Sequence, residues 1–222
     1  MGSTRPVTAM TIDKVVGSGT FGVVYRATDP NSGDLVALKR IKMEKETQGF
    51  PITAIREIKI LSSMAKHDNI IYLREIVTCD TERDPNDTSQ DTASSTSAVY
   101  STSFNIGDVF MVFDFVDYDL CGLLKSPGFI MSDDLIRCFL MQLLSGVNFL
   151  HENKILHRDL KSANLLVTRS NVLKIADWGL ARLVLSKEQR LTNPVVTLWY
   201  RSPEVICGSK SYGPEIDIWS VG

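Results

Sequence analysis

The chain has 222 residues, of which 44% are hydrophobic and 23% are charged, and its formal net charge is −2. This balance is typical of a globular protein and gives no electrostatic reason to expect direct nucleic-acid binding. No apolar run is long enough to span a bilayer, so we expect no membrane partner. The four cysteines show no close pairing, which favours reduced thiols in an intracellular protein over a metal site or disulfides.

Residues 1–10 are predicted to form a short tail, followed by two strands that flank a glycine-rich segment. Gly17, Gly19 and Gly22 form a GxGxxG pattern, which on its own fits an ordinary turn as well as a phosphate-binding loop. In a dinucleotide-binding fold a helix would follow Gly22. Here β-branched and aromatic residues follow and predict a strand. We therefore interpret the glycines as the tip of a hairpin whose backbone amides could approach phosphates.

Lys39 ends a third predicted strand, and a predicted helix with Pro51 in its first turn presents Glu57. A lysine in this position can simply extend to solvent. Glu57, however, shares a helix face with apolar residues that include Ile58, and a buried acid needs a partner, which Lys39 would supply. Ile55 belongs to a second apolar patch, so the helix is either wholly buried or presents one face to another protein.

The chain changes character at residues 80–107, where Asp, Ser and Thr dominate. We interpret this stretch as a low-complexity surface insertion without regular structure. A buried strand at 109–113 resumes the fold, and residues 114–118 read as an extended connector between two halves. A long helix with Ser132 as its N-cap then leads to His157.

The segment that follows His157 concentrates groups suited to phosphoryl transfer. Asp159 would accept a hydroxyl proton and aim the acceptor oxygen, and Lys161 would neutralise charge on the transferred phosphate. Asn164 and Asp177 offer the oxygen ligands that magnesium prefers. Such a site works mainly through positioning and electrostatics.

Thr192 lies in a run that reads as exposed. Arg56, Arg158 and Arg182 could converge on it, although arginines in three separate places are normally surface charge. Each one adjoins an element of the predicted site, which favours a shared anion site. A phosphate on Thr192 would bring about −1.5 to −2 charges into that cluster.

The chain resembles the protein kinase family, and more narrowly the cyclin-dependent kinases, from about Ile12 to its last residue. Three motifs carry the resemblance: PITAIRE at 51–57, HRDLKSAN at 157–164 and VVTLWYRSPE at 195–204. The PITAIRE form resembles the transcription-associated branch, as does the Leu191-Thr192-Asn193 segment.

This resemblance implies an α+β, bilobal kinase-like fold. Residues 11–113 would form an N-lobe, a small antiparallel sheet plus one helix, and 114–118 a hinge. Residues 119–222 would form a helical C-lobe. The last residues read as the opening of the central C-lobe helix, so we expect an incomplete C-lobe and a chain that is truncated at its C-terminus.

The resemblance also implies ATP and Mg²⁺ as cofactors and a cyclin as partner, which Ile55 and Ile58 would contact. Thr197 would bridge Asp159 and Lys161, and Thr192 would be the activating phosphosite. The residues implied to bind ATP are Val16, Gly17, Gly19, Gly22, Val24, Ala37, Lys39, Glu57, Phe113, Asp114, Val116, Asp119 and Leu166.

The implied activity is that of a proline-directed serine/threonine kinase located in the nucleus. The C-terminal repeat of RNA polymerase II is a candidate substrate. The alternative from another functional class is a non-catalytic fragment that binds cyclin. A mitogen-activated-type kinase is disfavoured because Thr192-Asn193-Pro194 lacks the Thr-x-Tyr pattern. Two departures stand out: Trp178 replaces the usual Phe of DFG, and Ser202 replaces the usual Ala before Pro203.

Overall fold

The chain forms two compact units, one from Met1–Gly49 and Leu73–Phe115 and the other from Phe50–Tyr72 and Val116–Gly222. The computed structural model describes residues 5–19, 22–42, 50–80, 104–184, 191–192 and 195–222. The predicted lobe boundaries divide the chain differently, because they assign residues 50–72 to the first half. Hydrogen bonds explain the difference: Ile71 N donates to Ile175 O (3.0 Å), and Ile175 N donates to Asn69 O (2.8 Å).

The first unit is built on a five-stranded antiparallel sheet with the spatial order β1-β2-β3-β5-β4. Successive side chains in a strand point to opposite faces, so Val36 and Leu38, both fully buried, share one face. Tyr25, Ala27 and Val112 pack in the same core. The strands are β1 (Thr11–Gly19), β2 (Gly22–Thr28), β3 (Leu35–Ile41), β4 (Leu73–Thr78) and β5 (Val109–Asp114).

Residues 5–10 are packed against this sheet, although the sequence predicts a tail there. Val7 and Met10 are 0% and 1% exposed, and a 3-10 helix covers Val7–Ala9. Pro6 forms a parallel bridge to Thr78 of the edge strand β4. The segment was missed because two apolar residues are too few to show a periodic pattern.

The predicted polar insertion lies mostly outside the described residues, which omit 81–103. Its C-terminal end is anchored, because Phe104 is only 3% exposed. The Phe104 ring meets Tyr25 and Phe110 edge-on, with centroids 5.3 and 5.0 Å apart. Gly107 N donates to Cys79 O at 2.8 Å, which closes the base of the insertion. A single aromatic residue at the end of a polar run thus belongs to the core.

The second unit is mainly helical, so the predicted α+β class is confirmed. Its short strands pair as β6-β8-β9 and β10-β7. No helix among the described residues is long and apolar enough to cross a membrane. The helices are α1 (Ile52–Ser63), α2 (Leu120–Lys125), α3 (Asp133–Glu152), α4 (Pro203–Ile206) and α5 (Glu215–Val221). The strands are β6 (Tyr118–Asp119), β7 (Ile155–Leu156), β8 (Leu165–Val167), β9 (Leu173–Ile175) and β10 (Arg182–Leu183).

Helix α3 begins as predicted, with the Ser132 hydroxyl accepting from Leu135 N at 3.3 Å. Aspartates in its first turn complement the partial positive charge of the helix N-terminus. Its buried stripe is Phe139, Leu143, Gly146, Val147 and Leu150.

Close packing fixes α3 to the β8-β9 hairpin. A Cβ on Gly146 would lie 2.8 Å from Ile175 Cδ1 and 3.1 Å from Asn69 O, so any larger residue would force these neighbours to shift. Gln142 Oε1 accepts from Asn69 Nδ2 (3.1 Å) and from Leu173 N (2.8 Å). These contacts hold the hairpin that connects the predicted magnesium ligands.

Helix α1 differs in detail from its prediction. Pro51 is the N-cap, with extended dihedral angles, and does not lie in the first helical turn. Ile58 is only half-buried, and Ile60 is buried with Glu57 on the inner face. The buried positions follow spacings of three and four along Ala54, Glu57, Ile60 and Leu61.

Candidate active site

The carboxylate of Asp159 is the centre of a dense hydrogen-bond cluster in the second unit. Oδ1 accepts from Thr197 Oγ1 (2.8 Å) and Thr197 N (3.2 Å). Oδ2 accepts from Lys161 Nζ (2.8 Å) and Asn164 Nδ2 (3.1 Å). Lys161 Nζ also donates to Thr197 Oγ1 at 3.1 Å. The four predicted catalytic residues therefore meet around one acid that is only 4% exposed.

The backbone of this loop is held from both sides by buried groups. His157 Nε2 lies 3.0 Å from Ala176 O, and a carbonyl can only accept, so Nε2 carries a proton. Nδ1 is then free to accept from Asp159 N at 3.3 Å. Asp217 of α5, 1% exposed, accepts from His157 N (2.9 Å) and Arg158 N (2.8 Å).

Asn164 and Asp177 are brought close together by the β8-β9 hairpin. Asn164 ends a 3-10 helix (Ser162–Asn164) just before β8, and Ala176 N, directly after β9, donates to Asn164 O at 2.9 Å. The side-chain amide of Asn164 donates to Asp159 O (2.8 Å), which leaves its oxygen as the group available to a cation.

Left-handed backbone conformations concentrate at this site. Arg158 and Asp177 both have φ of 64°, and Val196 has φ of 67°. Such conformations cost non-glycine residues about 1–3 kcal/mol and persist where the surrounding structure enforces them. They are rarest for β-branched residues, which makes Val196 the strongest outlier. No pattern in the sequence indicates this feature.

Trp178, the departure from DFG, is 1% exposed and its ring lies edge-on to His157 with centroids 5.1 Å apart. The buried indole Nε1 has no hydrogen-bond partner among the described residues. The larger aromatic ring is therefore accommodated by packing and not by a new hydrogen bond.

Sheet register brings several predicted ATP contacts together within the first unit. Val24 lies opposite Gly17 on one side and Lys39 on the other, and Ala37 lies opposite Phe113. Val16 is 44% exposed, Asp114 ends β5, and Gly19 pairs with Gly22 across the hairpin tip.

Gly22 is required by the fold itself. Its φ is 138°, and a Cβ there would lie 2.1 Å from Arg40 O. Its presence therefore carries little information about phosphate binding.

The remaining predicted ATP contacts belong to the second unit. Asp119 pairs with Leu166 across β6 and β8, and Val116 lies just before β6. Asp119 Oδ1 accepts from Gly122 N at 2.7 Å and so caps α2. Glu57 is 4% exposed on α1. Lys39 and Glu57 fall in different units, and their pairing stays a prediction.

The predicted phosphosite is partly assembled. Thr192 is exposed, and its hydroxyl oxygen accepts from Arg158 Nη1 at 3.0 Å. Arg182, on β10, lies near enough for its charge to lower the pKa of Arg158, although burial of Arg158 is the larger cause. Arg56 is exposed on α1, an element that contacts β10, but no contact of Arg56 with Thr192 is found among the described residues.

The predicted partner surface on α1 is apolar and open to solvent in part. Ile55 is 38% exposed and Ile52 is 64% exposed, whereas Ile58 is half-buried. The first two therefore form the accessible part of the patch that the sequence indicates.

Two functional-looking residues have no assigned role in the sequence interpretation. Asp217 anchors the loop backbone, and Tyr212 lies beside Thr192. The signal for Asp217 is its position between Ile216 and Ile218, where an acid enters an apolar helix and needs partners. No sequence signal distinguishes Tyr212 from an ordinary core tyrosine.

Comparison with known proteins agrees with these motifs. Residues 10–222 match the family model described as protein kinase domain. The chain is 46% identical to "Cyclin-dependent kinase C-2" of Arabidopsis thaliana, over 93% of this chain and 38% of that protein. It is 44% identical to "Cyclin-dependent kinase 9" of Homo sapiens, over 93% of this chain and 52% of that protein. It thus spans about two fifths to one half of the length of these relatives. The chain belongs to the protein kinase family.

Proposed function

We propose that the chain carries the catalytic apparatus of a cyclin-dependent serine/threonine kinase that transfers the γ-phosphoryl group of ATP to a protein hydroxyl. The observation that carries this proposal is the Asp159 carboxylate, which both Lys161 and Thr197 contact at 2.8 Å. A buried acid with fixed orientation is the group needed to align an incoming alcohol and accept its proton.

The charges around Asp159 suit this reaction. Lys161, with its side chain 27% exposed, would face the transferred group while remaining paired with Asp159. Thr197 Oγ1 both donates to Asp159 and accepts from Lys161, which fixes the distance between acid and cation.

The residues present fit magnesium and ATP. Asn164 and Asp177 supply an amide oxygen and a single carboxylate, and no cluster of three or more His, Cys, Asp or Glu ligands exists among the described residues. A sparse oxygen set suits Mg²⁺, which usually keeps waters and binds phosphates. Bound MgATP would supply the phosphoryl group and the positive charge that stabilises its transfer. Asn164 would hold its oxygen in place through its bonds to Asp159.

The strained residue Val196 supports a preference for proline after the acceptor residue. Its carbonyl oxygen accepts from Arg201 Nη2 at 2.9 Å, directly before Thr197, which contacts Asp159. A peptide bound there would have to share this carbonyl oxygen with Arg201, so its own N–H would be poorly satisfied. Proline has no N–H to satisfy, so it avoids that loss.

The proposal is tested by phosphorylation of two peptides that differ only in Ser-Pro against Ser-Ala, with and without a cyclin. We expect transfer to depend on the cyclin. We also expect kcat/KM to be at least about tenfold higher for Ser-Pro than for Ser-Ala, because the Ser-Ala peptide carries the free-energy cost of one unsatisfied N–H. A repeat peptide of RNA polymerase II serves as a third arm for the transcription-associated assignment. Cyclin capture without transfer to any peptide would instead support the non-catalytic alternative.

The proposal includes Thr192 as an activating phosphosite. Arg158 is 4% exposed, and its guanidinium contacts only neutral acceptors among the described residues: Leu180 O, Thr192 Oγ1 and the Tyr212 hydroxyl. A buried guanidinium that bonds only to neutral acceptors is unfavourable, so a phosphate on the neighbouring Thr192 would stabilise it. Arg182 and Arg56 would complete the cluster.

Thr192→Ala is expected to lower cyclin-dependent activity by about tenfold or more, because each charge-assisted bond from an arginine contributes about 1.5–3 kcal/mol. Thr192→Ser, which can still be phosphorylated, is the matched control and should retain activity. The measurement is peptide phosphorylation after treatment with an activating kinase. Equal activity of the Ala and Ser variants would remove Thr192 from the account.

The partner proposal relies on α1, where Ile52 and Ile55 are 64% and 38% exposed. This apolar patch lies on the same helix as the buried Glu57. A partner protein that covers the patch could therefore stabilise the position of the helix. A cyclin is the partner named by the relatives, and Ile58 would lie at the edge of this contact. We place the protein in the nucleus by the same resemblance.

A further inference from the structure

Tyr212 occupies a point where three polar groups of the Thr192 region meet. Its hydroxyl donates to Thr192 O at 2.6 Å and accepts from Arg158 Nη1 at 3.0 Å. The same Nη1 donates to Thr192 Oγ1 at 3.0 Å. The phenol therefore fixes the Thr192 backbone and the Arg158 guanidinium relative to each other.

The tyrosine ring itself is held rigidly. Tyr212 is 8% exposed and packs with Leu191, Val205 and Ile216 in an apolar cluster. Leu191 N donates to Lys210 O at 2.8 Å, which joins the Thr192 segment to the chain just before Tyr212. A rigid ring with one polar end can set the position of its partners with little entropic cost.

The electrostatics of Arg158 point in the same direction. Burial lowers the pKa of Arg158 and the nearby Arg182 lowers it further, whereas the Tyr212 oxygen and Asp217 raise it. The phenol oxygen thus partly compensates a buried cation. Nη2 of Arg158 has no acceptor among the described residues and is the donor left for an anion.

We propose that Tyr212 is a positioning residue for the anion site at Thr192: it holds Arg158 in the orientation that receives a phosphate on Thr192. This inference rests on the proposed role of Thr192. It goes beyond that role because it makes the response to phosphorylation depend on a neutral side chain outside the arginine cluster. Tyr212 acts through Arg158 and does not itself contact the reacting atoms.

The test measures the phosphate directly, without relying on catalysis. The chain is prepared with phosphothreonine at 192, and the phosphorus chemical shift is followed against pH in the parent protein and in Tyr212→Phe. Arginine pairing favours the dianion, so the parent phosphate should bind its proton more weakly than a free phosphothreonine, whose second pKa is about 6. In Tyr212→Phe we expect the proton affinity of the phosphate to rise about threefold, because Arg158 loses one fixed contact.

Tyr200→Phe is the matched control. Tyr200 packs on the edge of the same apolar cluster, and its hydroxyl contacts neither Arg158 nor Thr192 among the described residues. The Tyr200→Phe variant should therefore leave the proton affinity of the phosphate at the value of the parent protein. Should Tyr212→Phe fail to fold, 3-fluorotyrosine at position 212 takes its place, since its oxygen is a weaker acceptor in nearly the same volume. The same rise is then expected, to a smaller extent.

The outcomes separate the two ideas. A parent phosphate that titrates like free phosphothreonine would overturn the Thr192 anion site itself. The phosphate of the parent protein could instead bind its proton more weakly than free phosphothreonine, with no change in Tyr212→Phe or in the fluorotyrosine protein. That result would overturn the role of Tyr212 alone. If the proton affinity of the phosphate rose equally in Tyr200→Phe and Tyr212→Phe, the effect would come from general loosening of the cluster. That result would also overturn the role of Tyr212.

Discussion

Two buried polar side chains of the second unit differ sharply in the number of hydrogen bonds that they make. Asp159 has four donors on its two carboxylate oxygens. The hydroxyl of Ser202, a residue only 1% exposed, has no partner among the described residues. A buried group with hydrogen-bond partners holds the positions of those partners. A buried group without partners only lowers the free energy of unfolding.

Ser202→Ala is therefore expected to raise the free energy of unfolding by about 1 kcal/mol, the lower end of the cost of an unpaired buried group. A serine N-cap is normally favourable, but at α4 the Ser202 side chain makes no capping bond, so that benefit is absent. The measurement is urea unfolding of the two proteins.

Ser132→Ala is the matched control for this prediction. Its hydroxyl does cap α3, through Leu135 N at 3.3 Å, so its loss should lower stability by about 1 kcal/mol. If the two Ser→Ala substitutions change the free energy of unfolding in opposite directions, the capping hydrogen bond and not the residue type determines the effect. A lower stability of Ser202→Ala would contradict the argument.

At the scale of elements, the sequence predicts well where periodicity is strong. Helix α3 and the strands of the first unit follow from apolar spacing. The 5–10 segment and Phe104 do not, because their burial depends on contacts with residues far away in the chain. The left-handed φ of Val196 is equally invisible in the sequence. It accompanies hydrogen bonds that Arg201 donates to the Val195 and Val196 carbonyls, which exist only in the folded chain.

The 5–10 segment also protects the edge of the sheet. Strand β4 is an edge strand, and the parallel bridge from Pro6 to Thr78 covers part of its backbone. Arg5 fastens the segment, because its guanidinium donates to Asp29 (2.8 Å) and Glu75 (2.6 Å).

Arg5→Ala is expected to lower the free energy of unfolding by about 2 kcal/mol at pH 7, the value of hydrogen bonds to charged groups. The hydrogen bond from Arg5 holds the pKa of Asp29 below its ordinary value. That stabilisation is present above the unfolded pKa of about 3.9 and is lost as the pH falls through the lower folded pKa. The difference between the two proteins should therefore shrink below about pH 4.

Arg137→Ala is the control for this experiment. Arg137 pairs with Asp134 at 3.5 Å, with side chains 76% and 94% exposed, so its removal should change stability by less than about 0.5 kcal/mol. Urea titrations between pH 7 and pH 3.5 measure all three proteins. A difference for Arg5→Ala that grows on acidification would contradict the assignment.

At the scale of the whole chain, the site depends on residues that are widely separated in sequence. Asp217 of α5 reaches back to the amides of His157 and Arg158, and Thr197 reaches back to Asp159. The motifs name Asp159, Lys161, Asn164, Asp177 and Thr197 from sequence because their residue types and spacing are distinctive. They do not reveal Tyr212, and for Asp217 the sequence shows only an acid between two isoleucines that needs partners. The identity of those partners comes from tertiary contacts.

The most direct test of the central claim is the rate of phosphoryl transfer to a Ser-Pro peptide by Asp159→Asn, with ATP affinity measured in parallel. We expect transfer to fall at least about a hundredfold, the usual contribution of a positioned base, while ATP affinity is retained. Asp134→Asn, a change at an aspartate 94% exposed on α3, should leave both unchanged. If Asp159→Asn turned over like the parent protein, Asp159 would not be the acid that aligns the acceptor.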